Sequence, residues 1–214
     1  DYDGNNYDMV KIGGQLWMAE NLKVTHFNNG DEISTGFNNA EWENLSSSSY
    51  SVFMDSLVYA DIYGNMYNWY AVNDYRGICP EGFHIPSYKD WIILTNYLAS
   101  ESSDSLLGYF PINTIAGGMM KSIGIIDNGD GYWNKDDLPP IHEVGTNESG
   151  FAGLPAGSHG NGVYSYMGIY GYFWSSSGLD NTYGMYRGLY FYYSEVYRHY
   201  DYKQYGFSIR CLRD

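Results

Sequence analysis

The sequence predicts an α+β domain with one main helix, short antiparallel strands and much irregular loop. Three observations carry that expectation. The stretch from Cys79 to Leu98 holds a complete helix start followed by one apolar face. The C-terminal third alternates residue by residue in strand period. Elsewhere Gly, Asn, Ser and Asp recur at short intervals, as turn-forming residues do. The 214 residues suit one large domain with a substantial core. No long Pro/Ser run or charge block divides them, so a single domain is expected over residues 1–214.

Taken in order, Asp3-Gly4-Asn5-Asn6 is a turn signal, and Tyr7, Met9 and Lys11 alternate with Asp8, Val10 and Ile12. A hairpin is expected there. Asp1-Asp3-Asn5 resembles the start of a calcium loop but lacks the glycine after the third ligand and the distant glutamate. Gln15 to Leu22 is expected to hold a short turn of helix after Trp17. Residues 28–60 are polar with scattered aromatics, Phe37, Trp42, Tyr50, Phe53 and Tyr59, and read as loop. Tyr63 to Val72 reads as a short helix or strand that carries Trp69 inward.

The central stretch is the best specified. Pro86 holds Ile85 extended. Ser87 is a good N-cap, and Asp90 stands where a carboxylate answers both the cap and the positive helix end. Trp91, Leu94, Thr95 and Leu98 fall at i, i+3, i+4 and i+7, one helical face. Ala99 to Ile115 then reads as linker, and Ala116 to Ile125 as a short helix or extended arm loosened by glycines. Asp127 to Asp137 reads as an acidic, turn-rich loop. From Gly150 short strands alternate with glycine turns. Met185, Arg187, Leu189 and Phe191 alternate with Tyr186, Gly188, Tyr190 and Tyr192, and Glu195–Tyr200 and Phe207–Leu212 repeat the pattern. Phe207, Ile209 and Cys211 fall on one face of the last strand, and the whole reads as an antiparallel meander.

Composition excludes some functions. A formal net charge of −14 argues against nucleic acid, whose phosphates need a basic surface. No apolar run approaches the ~18–20 residues of a membrane span, and no signal peptide is recognised. Of eleven basic residues, Arg187, Arg198, Lys203, Arg210 and Arg213 lie at the C-terminal end, as do more than half of the 25 tyrosines. Tyr and Trp among Arg, Asn and Gly form a composition common in binding surfaces, where rings give rigid contact area with a polar tip. The alternative is that half of them are sheet core. Tyr186, Arg187, Tyr190, Tyr192, Tyr197 and Arg198 are the candidate contact residues. One strand parity between Tyr183 and Tyr205 is expected to pack on Trp91 and Leu94. The other is expected to form an exposed aromatic face with Arg187 and Arg198 near it.

Catalytic signals are sparse. The five histidines show no ligand spacing for zinc. No nucleophile elbow or phosphate-cradling glycine motif occurs in a strand–turn–helix setting, and nothing marks a base for Ser175, Ser176 or Ser177. Two cysteines, Cys79 and Cys211, read either as one disulfide or as two buried thiols.

Seven segments in order carry a family resemblance. They are Val10-Lys11-Ile12-Gly13-Gly14-Gln15-Leu16-Trp17-Met18-Ala19-Glu20-Asn21-Leu22, then Tyr63 to Val72, then Cys79 to Leu98. Thr146-Asn147-Glu148-Ser149-Gly150-Phe151 follows with Leu154-Pro155-Ala156-Gly157, then Trp174-Ser175-Ser176, then Gly206-Phe207-Ser208-Ile209-Arg210-Cys211. Together they resemble the Fibrobacter succinogenes major paralogous domain. That domain is similar to the formylglycine-generating (sulfatase-modifying) enzymes and, in fold, to C-type lectins. The resemblance implies a C-type-lectin-like fold and a disulfide between Cys79 and Cys211. That bond closes about 130 residues, for roughly 4–5 kcal/mol in the chain-entropy picture.

The resemblance also implies a calcium site at Asn134, the Lys135 carbonyl, Ser149 and the Phe151 carbonyl, with Ser149 where the enzymes carry Asp. It does not carry over catalysis. The enzymes' reactive, copper-binding cysteines match Ser194 to Tyr200, which holds no cysteine. The expected function is a non-catalytic bacterial binding or adhesion module, extracellular or at the cell surface, whose partner is a glycan or surface protein. The alternative is a filament or surface-layer subunit that binds copies of itself by lending an N-terminal strand or by head-to-tail contact. A third reading, a residual formylglycine-generating-type enzyme, rests on the resemblance alone.

Overall fold

The computed structural model describes residues 1–99, 115–125, 129, 131–134 and 145–214. In these, short helices sit among antiparallel strands, as expected. In chain order come β1 (Met9–Ile12), β2 (Gln15–Met18), α1 (Asn39–Trp42), β3 (Tyr50–Ser51), α2 (Leu57–Tyr63), β4 (Met66–Tyr67), α3 (Trp69–Val72) and β5 (Phe83–His84). Then come α4 (Tyr88–Leu98), α5 (Ala116–Met120), β6 (Ser158–Gly160), β7 (Val163–Ser165), β8 (Tyr170–Gly178), β9 (Tyr183–Tyr190), β10 (Val196–Tyr202) and β11 (Leu212–Arg213).

Helix α4 starts as its residues dictate. Ser87 Oγ accepts from the Asp90 amide, and the Asp90 carboxylate accepts from the Ser87 amide at 2.8 Å, closing a capping box. Trp91, Leu94 and Thr95 face the core. Trp91 meets Trp17 at 4.9 Å and Phe173 at 6.1 Å between ring centres. The ends of the chain close around this helix. A four-stranded sheet runs in the order β1-β2-β11-β5, so Leu212 pairs with both Trp17 and His84. Cys79 and Cys211, 132 residues apart, are disulfide-bonded in the core beside Phe207 and Ile209. A three-stranded antiparallel meander, β10-β9-β8, lies across α4.

Arg210 ties the end of β2 and Asn21 to the Phe151–Ala152 segment. It is fully buried and donates to Asn21 Oδ1 at 2.6 Å, the Phe151 carbonyl at 2.5 Å, the Ala152 carbonyl at 2.9 Å and the Met18 carbonyl at 3.2 Å. Burial pulls its guanidinium down to about 9.

Several local expectations are corrected. No helix follows Trp17; Gln15–Met18 is a strand between β1 and β11. Trp17 and Met18 are both buried, and a strand covered on both faces does not alternate. Residues 28–60 are not plain loop: α1 and α2 fall in or across them. Asn38 and Glu41 form a second capping box, as complete as that of α4. Phe207 to Leu212 is a strand only at its end; Phe207 and Ser208 bridge singly to Tyr67 and Phe173. The hairpin falls later than the Asp3–Asn6 turn signal: β1, the later part of the alternating run, pairs antiparallel with β2, and the first eight residues hold no strand. Asp1 accepts from the Asn5 amide and the Tyr7 hydroxyl, while Asp3 accepts from Thr25 and pairs with His26. These residues, and β1 on β2, are spent on their own chain, so lending them to a neighbour would break these bonds.

Candidate binding cleft

The meander has two faces set by strand parity. Phe173, Leu189 and Val196 turn inward, into the cluster that holds Trp91 and Leu94. Arg187 and Arg198 share this inner parity, directly opposite one another across β9 and β10. Their guanidinium carbons lie 5.1 and 5.4 Å from the Tyr88 ring centre, and Arg198 also donates to the Tyr88 hydroxyl. The expected Arg-bearing exposed face is therefore corrected. Both arginines are buried, because a ring at the start of α4 receives their charge inside.

The outer face carries Tyr170 and Tyr172 from β8, Tyr186, Gly188 and Tyr190 from β9, and Tyr197, His199 and Asp201 from β10. Gly188 sits between Tyr172 and Tyr197. With no side chain at that crossing, the floor is hollow. The resulting cavity is about 370 Å³. A second cavity of about 380 Å³ lies alongside, with Ser158, Asn161, Ser165 and Tyr166 among its lining residues. The two share Tyr170, Tyr172 and Asp201.

The walls are rigid because the rings brace one another. Tyr190, Tyr170, Tyr172 and Phe207 form a ladder, with successive centres 4.4, 5.1 and 4.7 Å apart and planes within 21° of parallel. Tyr186 meets Tyr172 edge-on at 5.4 Å. Burial pushes the Tyr172 phenol far above its usual range, and those of Tyr197 and Tyr205 up to about 12. Each keeps its proton at neutral pH and remains a donor as well as an acceptor. Asp201 is half-buried; desolvation raises its pKa, against the opposing pull of the Tyr202 amide and His199.

Of the predicted contact residues, Tyr186, Tyr190 and Tyr197 meet at this cleft, and Arg198 reaches its wall while its guanidinium serves Tyr88. Tyr192 lies in the turn after β9, against Tyr190 and Tyr193, and Arg187 is on the far face. Tyr166, Tyr170, Tyr172, Tyr193, His199 and Asp201 were missed. Tyr170-Gly171-Tyr172 carries the same alternation as β9 and offered the signal.

The calcium expectation meets a donor set that does not fit in its described part. Lys135 lies outside the described residues. Ser149 Oγ donates to the Met119 carbonyl at 2.8 Å and accepts from the Phe151 amide at 3.1 Å. The Phe151 carbonyl already faces a cation, the Arg210 guanidinium. The Asn134 backbone N–H donates to the Gly168 carbonyl, a bond that does not involve the side-chain oxygen of the expected site. Among the described residues, no three His, Cys, Asp or Glu side chains gather to hold a metal. Both cysteines are spent in the disulfide. No described helix is long and apolar enough to cross a membrane.

The family model of the Fibrobacter succinogenes major domain matches residues 10–213, nearly the whole chain. No curated protein and no solved structure matches the sequence.

Proposed function

We propose that this chain, which belongs to the Fibrobacter succinogenes major domain family, is a non-catalytic carbohydrate-binding module, extracellular or at a bacterial surface, on a C-type-lectin-like fold. The cleft on the outer face of β8–β10 carries the reading. A concave, ring-braced site with a few polar groups is the usual form of a small-ligand pocket. Its lining suits a sugar, whose apolar ring faces meet aromatic side chains while its hydroxyls bond to phenols, serines and a carboxylate. The fold assignment is supported by the seven motifs in order and by the disulfide from the entrance of the main helix to the last strand. The location is supported by that same bond, which persists in oxidising surroundings.

Gly188→Leu tests the cleft. A Cβ at Gly188 meets its nearest neighbour at 3.6 Å, an ordinary contact, so the strand tolerates it while the hollow fills. Glycan-array binding by the wild type, lost at least tenfold in Gly188→Leu with thermal unfolding unchanged, is expected. Binding that survives the substitution, or no glycan bound at all, rejects the reading.

A further inference from the structure

The two cavities are built from different chemistry on a common wall. The first is lined by Tyr186, Tyr190, Tyr193 and Tyr197 over Gly188, with Arg198 and His199 also in its lining, so it is mainly aromatic. The second is lined by Ser158, Asn161 and Ser165 with Tyr166 and Tyr205, so it is hydroxyl- and amide-rich. Each is of the size of a small-ligand site. An exposed ring stands at each: Tyr193 is 41% exposed in the first and Tyr166 is 53% exposed in the second. Tyr166 holds a left-handed backbone, φ +67°, a costly conformation for a non-glycine residue. That strain falls on a ring that lies edge-on to both Tyr170 and Tyr172.

The wall they share carries one carboxylate, Asp201. Its Oδ1 accepts from the Tyr202 amide, and among the described residues it enters no ion pair. Arg198 also reaches the wall of the first cavity, but its guanidinium lies over the Tyr88 ring and donates to the Tyr88 hydroxyl. The surface therefore sets a partly desolvated negative charge between the two halves, in a chain of net charge −14. A second carboxylate brought against it is repelled in a setting where water screens poorly.

We infer that the two cavities are one bipartite cleft for a neutral glycan chain of at least two sugar units, and that Asp201 is the residue that excludes acidic sugars. One unit lies on the tyrosines over Gly188, and the next bonds to Ser158, Asn161 and Ser165. Asp201 accepts from hydroxyls of both. This rests on the carbohydrate reading above and adds to it the length and charge of the ligand.

The test is an array of neutral mono- to hexasaccharides, each beside its counterpart oxidised at C6 to the uronate. The wild type is expected to bind neutral chains of two or more units at least tenfold better than the monosaccharide and than the matching uronate. Asp201→Asn keeps the shape and removes the charge. It is expected to weaken neutral binding a few-fold and to raise binding of the uronate relative to the neutral chain about tenfold. Tyr166→Ala, at the polar end, is expected to shrink the advantage of longer chains and leave the neutral-to-uronate ratio unchanged. Thermal unfolding of both variants confirms that they are folded. Uronates bound as well as neutral chains, monosaccharides bound as well as longer ones, or an Asp201→Asn ratio equal to wild type would each overturn this inference while leaving the carbohydrate reading standing. An array on which the wild type binds nothing overturns both.

Discussion

The two faces of the β8–β9–β10 sheet are made by the same strands, yet they hold opposite charges in opposite ways. Inside, Arg187 and Arg198 are buried over the Tyr88 ring, and Arg210 nearby is buried among neutral oxygens. Outside, tyrosines stay half-buried around the single carboxylate of Asp201. The inner cations are satisfied by rings and carbonyls and do structural work. The outer anion is left facing two cavities. A tyrosine-rich strand is therefore not one surface but two, and parity decides which tyrosines and which charges a ligand meets.

The strongest way to break that comparison is to damage the inner face alone. Phe173 is fully buried against Trp91 and Phe151. Phe173→Ala leaves a cavity and is expected to cost about 3–5 kcal/mol of stability. Chemical denaturation reads that loss. At temperatures where the variant stays folded, glycan binding is expected within a few-fold of wild type. A cleft abolished in a folded Phe173→Ala would show that the faces are not separable.

A smaller effect is expected at His159, which braces the polar half of the cleft from behind. Ser158 and Gly160 line the second cavity, while His159 turns the other way, stacked between Trp42 and Tyr164 and bonded to Ser51 and Asn39. Desolvation pulls its pKa down to about 4, only partly offset by Asp55. A histidine kept neutral by folding takes up a proton more readily once unfolded. Stability is therefore full above about 6.5 and falls as the pH drops from there through about 4. The melting temperature is expected to decline across that window, and His159→Gln to flatten the decline. A variant with the wild-type slope would remove His159 as its source.

Much of this frame was legible. Ser87 and Asp90 announced α4, its apolar spacing named Trp91, Leu94 and Thr95, and the disulfide was implied by the family resemblance. Other parts were legible and passed over: Asn38 with Glu41 is the same capping signal three residues apart. Some parts were not legible. Ser56 before α2 makes no side-chain cap, so that helix has no written start. The alternation in β9 and β10 named two faces without naming the inner one, although Leu189 and Val196 share the arginines' parity. The second cavity arises where β6 and β7 meet β8, a juxtaposition that no local pattern encodes.

The arginine assignment can be sharpened directly. Arg187→Met keeps the length of the side chain and removes the charge from beneath Tyr88. Loss of one cation–π contact is expected to cost about 0.5–2 kcal/mol, with glycan binding within twofold of wild type. A large loss of binding without loss of stability would return Arg187 to the contact surface.

The smallest expected effect is that of a chelator. Calcium at Asn134, Ser149 and the Phe151 carbonyl would have to share that carbonyl with Arg210, whose Nη1 lies 2.5 Å from it. It would also have to take Ser149 Oγ from the Met119 carbonyl, and Ser149 brings no negative charge in exchange. The inner side already has its cation, on a covalent tether that ties Met18 and Asn21 to Phe151 and Ala152. A ligand at 1,000 times its dissociation constant would add about 4 kcal/mol, a shift no melting curve would miss. Equal melting temperatures in millimolar calcium and in excess chelator are expected. Arg210→Met should then destabilise the fold in both conditions alike, since neutral oxygens lose their donor inside the core. If calcium instead rescued Arg210→Met, the guanidinium and the ion would be interchangeable occupants of one site, and the inner face would be a metal site that this chain has filled with its own side chain.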